Sequence, residues 1–254
     1  MMNNVQNNEG EPVLPAAESE IGAGKDGHVY DRPLEIDLEN ENDDSLVFIA
    51  RHINPGSHVL ELGVATGYFS RFLSGKLDCT VDGVEMDPAM ASQARPFLSQ
   101  LVVGNLEEMD LSRHFPAAAY DWVVLADILE HLRDPAFVLK QLPGLLRPGG
   151  RVIISIPNTA YAGLVLELLG GGLNYREEGL LDRTHLRFYT KSSFTALLQE
   201  LGYQVESVEP VRLPLERSEF AASLNHYAVP LARYLAARPE ATAYQYVFTA
   251  APES

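Results

Sequence analysis

The chain has 254 residues, of which 46% are hydrophobic and 21% charged, ordinary globular proportions that argue against wholesale disorder. Its 35 acidic and 19 basic side chains leave a formal net charge of -16, which repels a phosphate backbone and makes nucleic acid a poor partner. Cys79 is the single cysteine, which excludes an internal disulfide, and no apolar run reaches the roughly 18 residues of a membrane span.

Residues 1–27 are predicted to be a disordered leader, because Asn, Glu, Gly, Pro and Ala dominate and no period is visible. The N-terminus also lacks the basic start and apolar stretch of a signal peptide, so we expect a cytoplasmic protein without membrane insertion. Residues 28–254 have the length of one α/β domain and are predicted to form one.

Helix-like and strand-like segments alternate along this domain. The spacing of the apolar residues predicts a first helix over residues 43–53 and a later one over 190–201, with Thr190 as N-cap and Gly202 beyond its end. The apolar runs between them suit strands that are covered on both faces, which favours a doubly wound α/β fold with a parallel sheet. The predicted strands are residues 59–62, 79–84, 101–103, 122–125 and 152–156, with two more near 204–209 and 243–249.

Two long stretches interrupt the alternation, residues 158–189 and 211–240. Segments of this length inside a compact domain are usually functional, so we interpret both as a lid or as part of a substrate pocket. Residues 213–235 also hold enough apolar side chains to cover a neighbouring subunit, which makes a homodimer the protein partner to consider.

The first strand leads into a turn of small residues, Gly63, Ala65 and Gly67, and then into a helix. Such a turn lets a ligand approach the backbone closely, although the same glycines could close a tight turn in any α/β protein. Glu85 ends the next strand, where its carboxylate could accept hydrogen bonds from both hydroxyls of a ribose. A solvated glutamate is the plain alternative.

Residues 57–157 resemble the class I S-adenosylmethionine (SAM)-dependent methyltransferases. The resemblance rests on the turn with its preceding strand, on Glu85, and on the segments Asp121–Asp127 and Leu146–Arg151. It implies a Rossmann-like sheet of seven strands, mostly parallel with an antiparallel last strand, that carries helices on both faces and binds SAM.

The same resemblance implies roles for individual residues. Glu61 would lie beneath the methionine amino group of SAM, and Glu85 would bind the ribose. Asn105 stands where the family often has Asp near the adenine amino group, and its side-chain carbonyl could accept the same hydrogen bond. Tyr30 would fold over the SAM carboxylate or simply anchor the N-terminal arm. The other implied cofactor contacts are Gly63, Ala65, Thr66, Gly67, Met86, Leu106, Ala126 and Asp127.

The residues themselves also favour SAM over a nicotinamide dinucleotide. A pyrophosphate is usually held by backbone amides at a helix start, whereas Glu61 puts a carboxylate beside this turn. A negative charge there suits an ammonium group. No group of residues downstream of the turn has the pattern expected for hydride transfer.

His185 is the predicted catalytic base. An imidazole can take a proton near neutral pH, and this residue ends the first interrupting stretch, where an acceptor would approach. Alternatively, His185 binds a backbone carbonyl and anchors the lid.

Asp127, Glu130 and His131 would share one face of a helix and could converge on a divalent cation. Some of the quinone-pathway O-methyltransferases that the sequence resembles use a metal near this motif. An equivalent Glu-His pair is, however, widespread in metal-free relatives. We therefore predict no metal.

Four residues are predicted to contact the acceptor, and they are His131, Tyr161, Tyr175 and Arg183. The sequence thus predicts transfer of a methyl group from SAM to an oxygen or nitrogen of a small molecule, a sugar or secondary metabolite. One alternative is a quinone-like aromatic hydroxyl, and another is a SAM-binding module without catalysis.

Overall fold

The structure is a computed structural model that describes Ile36, Leu38 and residues 44–221 and 228–253. The predicted leader, residues 1–27, and the predicted cofactor residue Tyr30 lie outside the described residues. Among the helices that the structure describes, none is long and apolar enough to cross a bilayer.

A seven-stranded sheet with the order β3-β2-β1-β4-β5-β7-β6 forms the centre of the fold. Neighbouring strands run parallel from β3 to β5, and β7 runs antiparallel to both β5 and β6. The predicted sheet with its antiparallel last strand is therefore confirmed. The strands are β1 (His58–Leu62), β2 (Thr80–Glu85), β3 (Gln100–Val103), β4 (Tyr120–Ala126), β5 (Leu146–Pro157), β6 (Tyr203–Arg212) and β7 (Ala243–Pro252).

Helices flank the sheet and begin at capping residues that the sequence supplies. Asp44 accepts a hydrogen bond from the backbone N–H of Leu46 at the start of α1, at 2.8 Å. Thr190 and Ser193 form a reciprocal capping box at the start of α6, which confirms the predicted N-cap. The helices are α1 (Ser45–His52), α2 (Tyr68–Lys76), α3 (Pro88–Ala94), α4 (Pro135–Leu139), α5 (Ala162–Leu169), α6 (Lys191–Glu200) and α7 (Val229–Ala236).

Strand residues alternate between two apolar cores, one on each face of the sheet. Leu60 and Val123 face one core, while Val59 and Val124 face the other. All four are fully buried, and burial of such a side chain contributes about 1.5–3 kcal/mol. This double coverage explains why the strands read as continuous apolar runs.

The two interrupting stretches pack against each other in a third apolar cluster beyond the sheet. Tyr161 and Leu180 come from the first stretch and Leu235 from the second, and all three are buried. Glu219 of the second stretch accepts hydrogen bonds from the Leu180 N–H, at 2.8 Å, and from the Tyr244 hydroxyl, at 2.9 Å. The second stretch thereby supports the first.

The chain changes direction at the middle of the sheet. It runs outward from β1 through β2 to β3 and then returns to place β4 on the other side of β1. Ligands of such sheets bind outside the carboxyl ends of the strands at this switch point. Glu61, Glu85 and Asp127 all lie at or next to these ends.

Gly67 is the N-cap residue of α2 and has a φ of 79°, and a Cβ added there would lie 2.6 Å from the Ala94 Cα. Gly56 has a φ of 78°, but a Cβ added to it would meet no described atom within 4 Å outside its chain neighbours, which makes it a matched control. Gly56→Ala should lower the free energy of unfolding by about 1–2 kcal/mol, because of backbone strain alone. Gly67→Ala should lower it by about 1–3 kcal/mol more, because the added Cβ overpacks the site. Urea unfolding measures both values. Equal losses in the two variants would contradict the close approach of α2 and α3.

Candidate functional site

The turn between β1 and α2 holds three residues in the left-handed backbone region. Gly63 has a φ of 83°, Ala65 of 49° and Gly67 of 79°. Ala65 carries a Cβ in this region, which costs free energy unless its surroundings hold it there. The backbone N–H groups of Gly63 and Val64 both donate to the Val84 carbonyl, at 2.9 and 3.1 Å, and fasten the turn to β2.

Glu85 is the residue that holds the strained turn. One carboxylate oxygen accepts a hydrogen bond from the Ala65 N–H and the other from the Asp87 N–H, each at 2.8 Å. Hydrogen bonds to a charged acceptor are the stronger kind. A carboxylate has about four acceptor sites, so capacity for further donors remains.

Glu61 is a buried carboxyl group beneath the same turn. Its oxygen accepts a hydrogen bond from the Ser70 hydroxyl. Burial raises the pKa of Glu61 to about 8, with the Ser70 hydrogen bond opposing the rise and the charge of Glu85 adding a smaller part of it. The group is thus mainly protonated at neutral pH, and a cation bound beside it would favour its charged form.

The other predicted cofactor residues lie along the same edge of the sheet. Asn105 uses its side-chain carbonyl to accept from the Glu107 N–H, at 3.0 Å, so only its second lone pair is available to a ligand. Met86 is 67% exposed and Leu106 is buried. Thr66 and Ala126 are half-buried.

Asp127 does not begin a helix, so the predicted helical face shared with Glu130 and His131 is wrong. Asp127 adopts a φ of 54° after β4, and only Leu129–His131 form a short 3-10 turn. Its carboxylate instead accepts hydrogen bonds from the Ser155 hydroxyl, at 2.8 Å, and from the Gln245 amide, at 3.0 Å.

A cavity of about 330 Å³ opens beside Asp127. Its lining contains aromatic and carboxylate side chains and two imidazoles, but neither lysine nor arginine among the described residues. The titratable acids and bases in the lining are Asp44, Asp127, Glu130, Glu178, Asp182, His131, His185 and the two tyrosines Tyr68 and Tyr244. Such a lining disfavours an anionic ligand.

The first interrupting stretch brings His185 next to His131 and Glu130. The backbone N–H groups of Leu186 and Arg187 both donate to the Glu130 carbonyl, at 2.8 and 2.9 Å, and tie this stretch to the 3-10 turn. The two imidazole rings then meet edge to face with centroids 4.8 Å apart.

The three side chains form a tight group of hydrogen-bond acceptors. One carboxylate oxygen of Glu130 and one ring nitrogen of each histidine lie within 4.8 Å of one another, a spacing at which these donor types could hold a metal ion. Asp127, which the sequence pattern grouped with Glu130 and His131, is not in the group. The Glu130 carboxylate is buried with no hydrogen-bond partner among the described residues, and burial raises its pKa well above the ordinary value.

His185 is half-buried in the cavity wall. Its Nδ1 lies 3.2 Å from the Leu180 carbonyl, as expected for an anchor, and its other ring nitrogen is left for a ligand. Burial lowers the pKa of His185, and the neighbouring His131 lowers it further. The ring is therefore neutral at neutral pH, the state that a general base needs.

Of the four predicted acceptor residues, only His131 lines the cavity. Tyr161 is fully buried, and its hydroxyl donates to the Leu213 carbonyl at 2.9 Å. Tyr175 is exposed, and Arg183 forms an exposed ion pair with Glu177 at 3.0 Å. The cavity instead contains residues from α1 and β7 that sequence reasoning missed, because they lie far from the turn along the chain. They are Asp44, Ser45, Leu46, Tyr244 and Gln245.

Comparisons with known proteins agree with this geometry. A family model described as a methyltransferase domain matches residues 34–208. A ubiquinone biosynthesis O-methyltransferase of Xanthomonas axonopodis pv. citri is 26% identical over 171 residues, which cover 64% of this chain and 70% of that protein. A probable S-adenosylmethionine-dependent methyltransferase of Mycolicibacterium smegmatis is 29% identical over 157 residues, 61% of this chain and 55% of that one.

The fold is also that of solved methyltransferases. The structure of a SAM-dependent methyltransferase from Archaeoglobus fulgidus superimposes with a TM-score of 0.57 at 16% identity. The superposition covers 82% of this chain and 91% of that one. At this identity, the likeness establishes the fold alone.

The raised pKa of Glu61 has a consequence for stability. The folded chain holds this proton up to a pH of about 8, whereas an unfolded glutamate releases it near 4.5, so rising pH destabilises the fold between these values. Glu61→Gln should therefore gain stability over the wild type as pH rises through this window, by at most about 1.4 kcal/mol per pH unit. Urea unfolding from pH 4 to 9 measures this difference. Exposed Glu200→Gln is the control, and a difference independent of pH would contradict the assignment.

Proposed function

The chain belongs to the methyltransferase domain family, and we propose that it methylates a hydroxyl group of an uncharged, polyhydroxylated small molecule such as a sugar. It is a SAM-dependent methyltransferase. The single observation that carries the proposal is the cavity, in which His185 stands among carboxylates with no lysine or arginine in the described lining.

The residues at the switch point fit SAM. Glu61 is a buried carboxyl group whose ionisation needs a nearby cation, and the ammonium group of SAM is such a cation. Glu85 retains acceptor capacity for the ribose hydroxyls while it holds the turn. SAM supplies a methyl group on a positively charged sulfur, already a strong methyl donor.

Asp127 connects the cofactor edge, the carboxyl ends of the strands with Glu61 and Glu85, to the cavity. It follows β4 at the carboxyl end of the sheet and also belongs to the cavity lining. An acceptor in the cavity would thus lie beside the methyl group, and alignment of the two reactants accounts for much of the expected acceleration.

His185 is the base in this proposal. A hydroxyl is a weak nucleophile, and its proton must leave as the new bond to the methyl carbon forms. The ring is neutral, half-buried and held by the Leu180 carbonyl, so its second nitrogen can accept that proton.

The charge of the lining selects the acceptor. Five carboxyl groups, Asp44, Asp127, Glu130, Glu178 and Asp182, border the cavity. Carboxyl oxygens bind the hydroxyl groups of a neutral sugar, and the described lining offers no lysine or arginine to pair with a carboxylate or phosphate. A quinone-like aromatic hydroxyl is the second candidate, favoured by the similarity to ubiquinone biosynthesis O-methyltransferases.

A matched set of acceptors tests the proposal. We expect formation of S-adenosylhomocysteine (SAH) with a neutral methyl glycoside, and at least about 10-fold lower kcat/KM with the uronate of the same sugar, because the described lining offers its carboxylate no cationic partner. A catechol tests the second candidate. Mass spectrometry of SAH and of the methylated product is the measurement. Preference for the uronate would contradict the proposal, as would absence of SAH affinity in calorimetry.

His185→Asn should lower kcat by about 10²–10⁴-fold and leave SAH affinity unchanged, because the variant loses the base but not the cofactor edge. In the wild type, activity should persist as pH falls below 6.5 and decline only at the lowered pKa of His185. His114, which is exposed and outside the cavity, gives the control His114→Asn. Full turnover by His185→Asn would remove His185 from the mechanism.

A further inference from the structure

A chain of hydrogen bonds shows that one particular nitrogen of the His131 ring carries a hydrogen. The Thr184 hydroxyl donates to the Asp182 carboxylate at 2.6 Å, and the Nδ1 of His131 lies 2.9 Å from the same hydroxyl oxygen. A hydroxyl has one proton, and a carboxylate only accepts. Because Thr184 gives its proton to Asp182, Nδ1 of His131 must carry a hydrogen and donate it to Thr184.

The same reasoning fixes His185. Its Nδ1 faces the Leu180 carbonyl, which can only accept, so this nitrogen also carries a hydrogen. Each neutral ring then keeps its lone pair on Nε2. Within the part of the chain that the structure describes, no group hydrogen-bonds either Nε2, although both rings line the cavity.

We propose that His131 is a second catalytic base of the methyl transfer, and that Asp182 and Thr184 are positioning residues that keep its Nε2 lone pair available to the acceptor. This inference rests on the proposed function. An acidic side chain that orients an imidazole by a hydrogen bond, and so sets its tautomer, is a recurrent arrangement around catalytic histidines.

The proton balance of the step is simple. The acceptor hydroxyl gives its proton to the Nε2 of one ring of the His131–His185 pair, and the O–H electron pair stays on the oxygen. The oxygen forms the new bond to the methyl carbon, and the pair of the broken S–C bond returns to the sulfur. The ring that took the proton then holds one positive charge.

Titratable groups face His131 from several elements. Asp182 lies behind Thr184, Asp127 follows β4, and Glu130 and His185 are within 4.8 Å of it. Because the two rings are so close, only one of them can carry a positive charge at a time without strong repulsion. The pair can therefore accept the single proton that one turnover releases.

His131 uses one ring nitrogen in a fixed contact. Its contact to Thr184 selects the tautomer with hydrogen on Nδ1, whereas an imidazole in water favours hydrogen on Nε2. The selection is thus a measurable property of the protein without any acceptor.

Nitrogen-15 NMR of the histidine-labelled protein tests the tautomer directly. The chain has 7 histidines, and comparison with His131→Asn assigns the signal. We expect a hydrogen on Nδ1 in the wild type and in Thr184→Ser, and a shift to Nε2 in Thr184→Val. Exposed Thr80→Val is the control and should match the wild type. A wild-type signal from the Nε2–H tautomer, or no change in Thr184→Val, would overturn the inference.

Kinetics with the best acceptor of the set above test the catalytic role. His131→Asn keeps a donor for Thr184 but lacks the basic Nε2 of the imidazole. The variant should lower kcat by about 10²–10⁴-fold with unchanged KM for SAM. Thr184→Val should lower kcat about 10-fold, and Thr184→Ser should restore it. Full kcat in His131→Asn would overturn the inference while the proposed function stood. Failure of the wild type to bind SAH would instead remove the proposed function, and the NMR result would be unaffected.

Discussion

The hydrogen bonds of one carboxylate hold together the edge of this fold at which SAM is proposed to bind. Glu85 ends β2 and accepts from the backbone of Ala65 in the preceding turn and of Asp87 in the following one. Without this acceptor, Ala65 would have little reason to remain in the left-handed region. The position of Glu61 beneath the turn and the start of α2 both depend on the same geometry.

The cavity, where the acceptor is proposed to bind, depends on loops that support one another. The cavity is shaped by the first interrupting stretch, which hydrogen-bonds to the Glu130 carbonyl and in turn packs on the second stretch. None of the described residues of the second stretch lines the cavity. A substrate pocket carried by supported loops can change its lining while the sheet and the cofactor edge stay the same.

Sequence reasoning predicted the sheet because strands covered on both faces are short apolar runs in the sequence. It also placed Glu85 and the small-residue turn correctly along the chain. It failed at Asp127, where a left-handed backbone breaks the expected helix. It also assigned Tyr161 to the acceptor, whereas that ring fills an apolar cluster. Tyr244 and Gln245 were missed because strand order, which brings β7 beside β5, is a long-range property without a local pattern.

The placement of β7 bears on how the chain acquires activity during synthesis. This strand follows β6 in the chain, yet it lies between β5 and β6 and contributes Tyr244 and Gln245 to the cavity wall. A nascent chain can therefore assemble β1 to β5 early, but β6 has no partner strand in this sheet until β7 has been synthesised. Until then, the sheet would present an unpaired strand edge and the pocket would lack one wall.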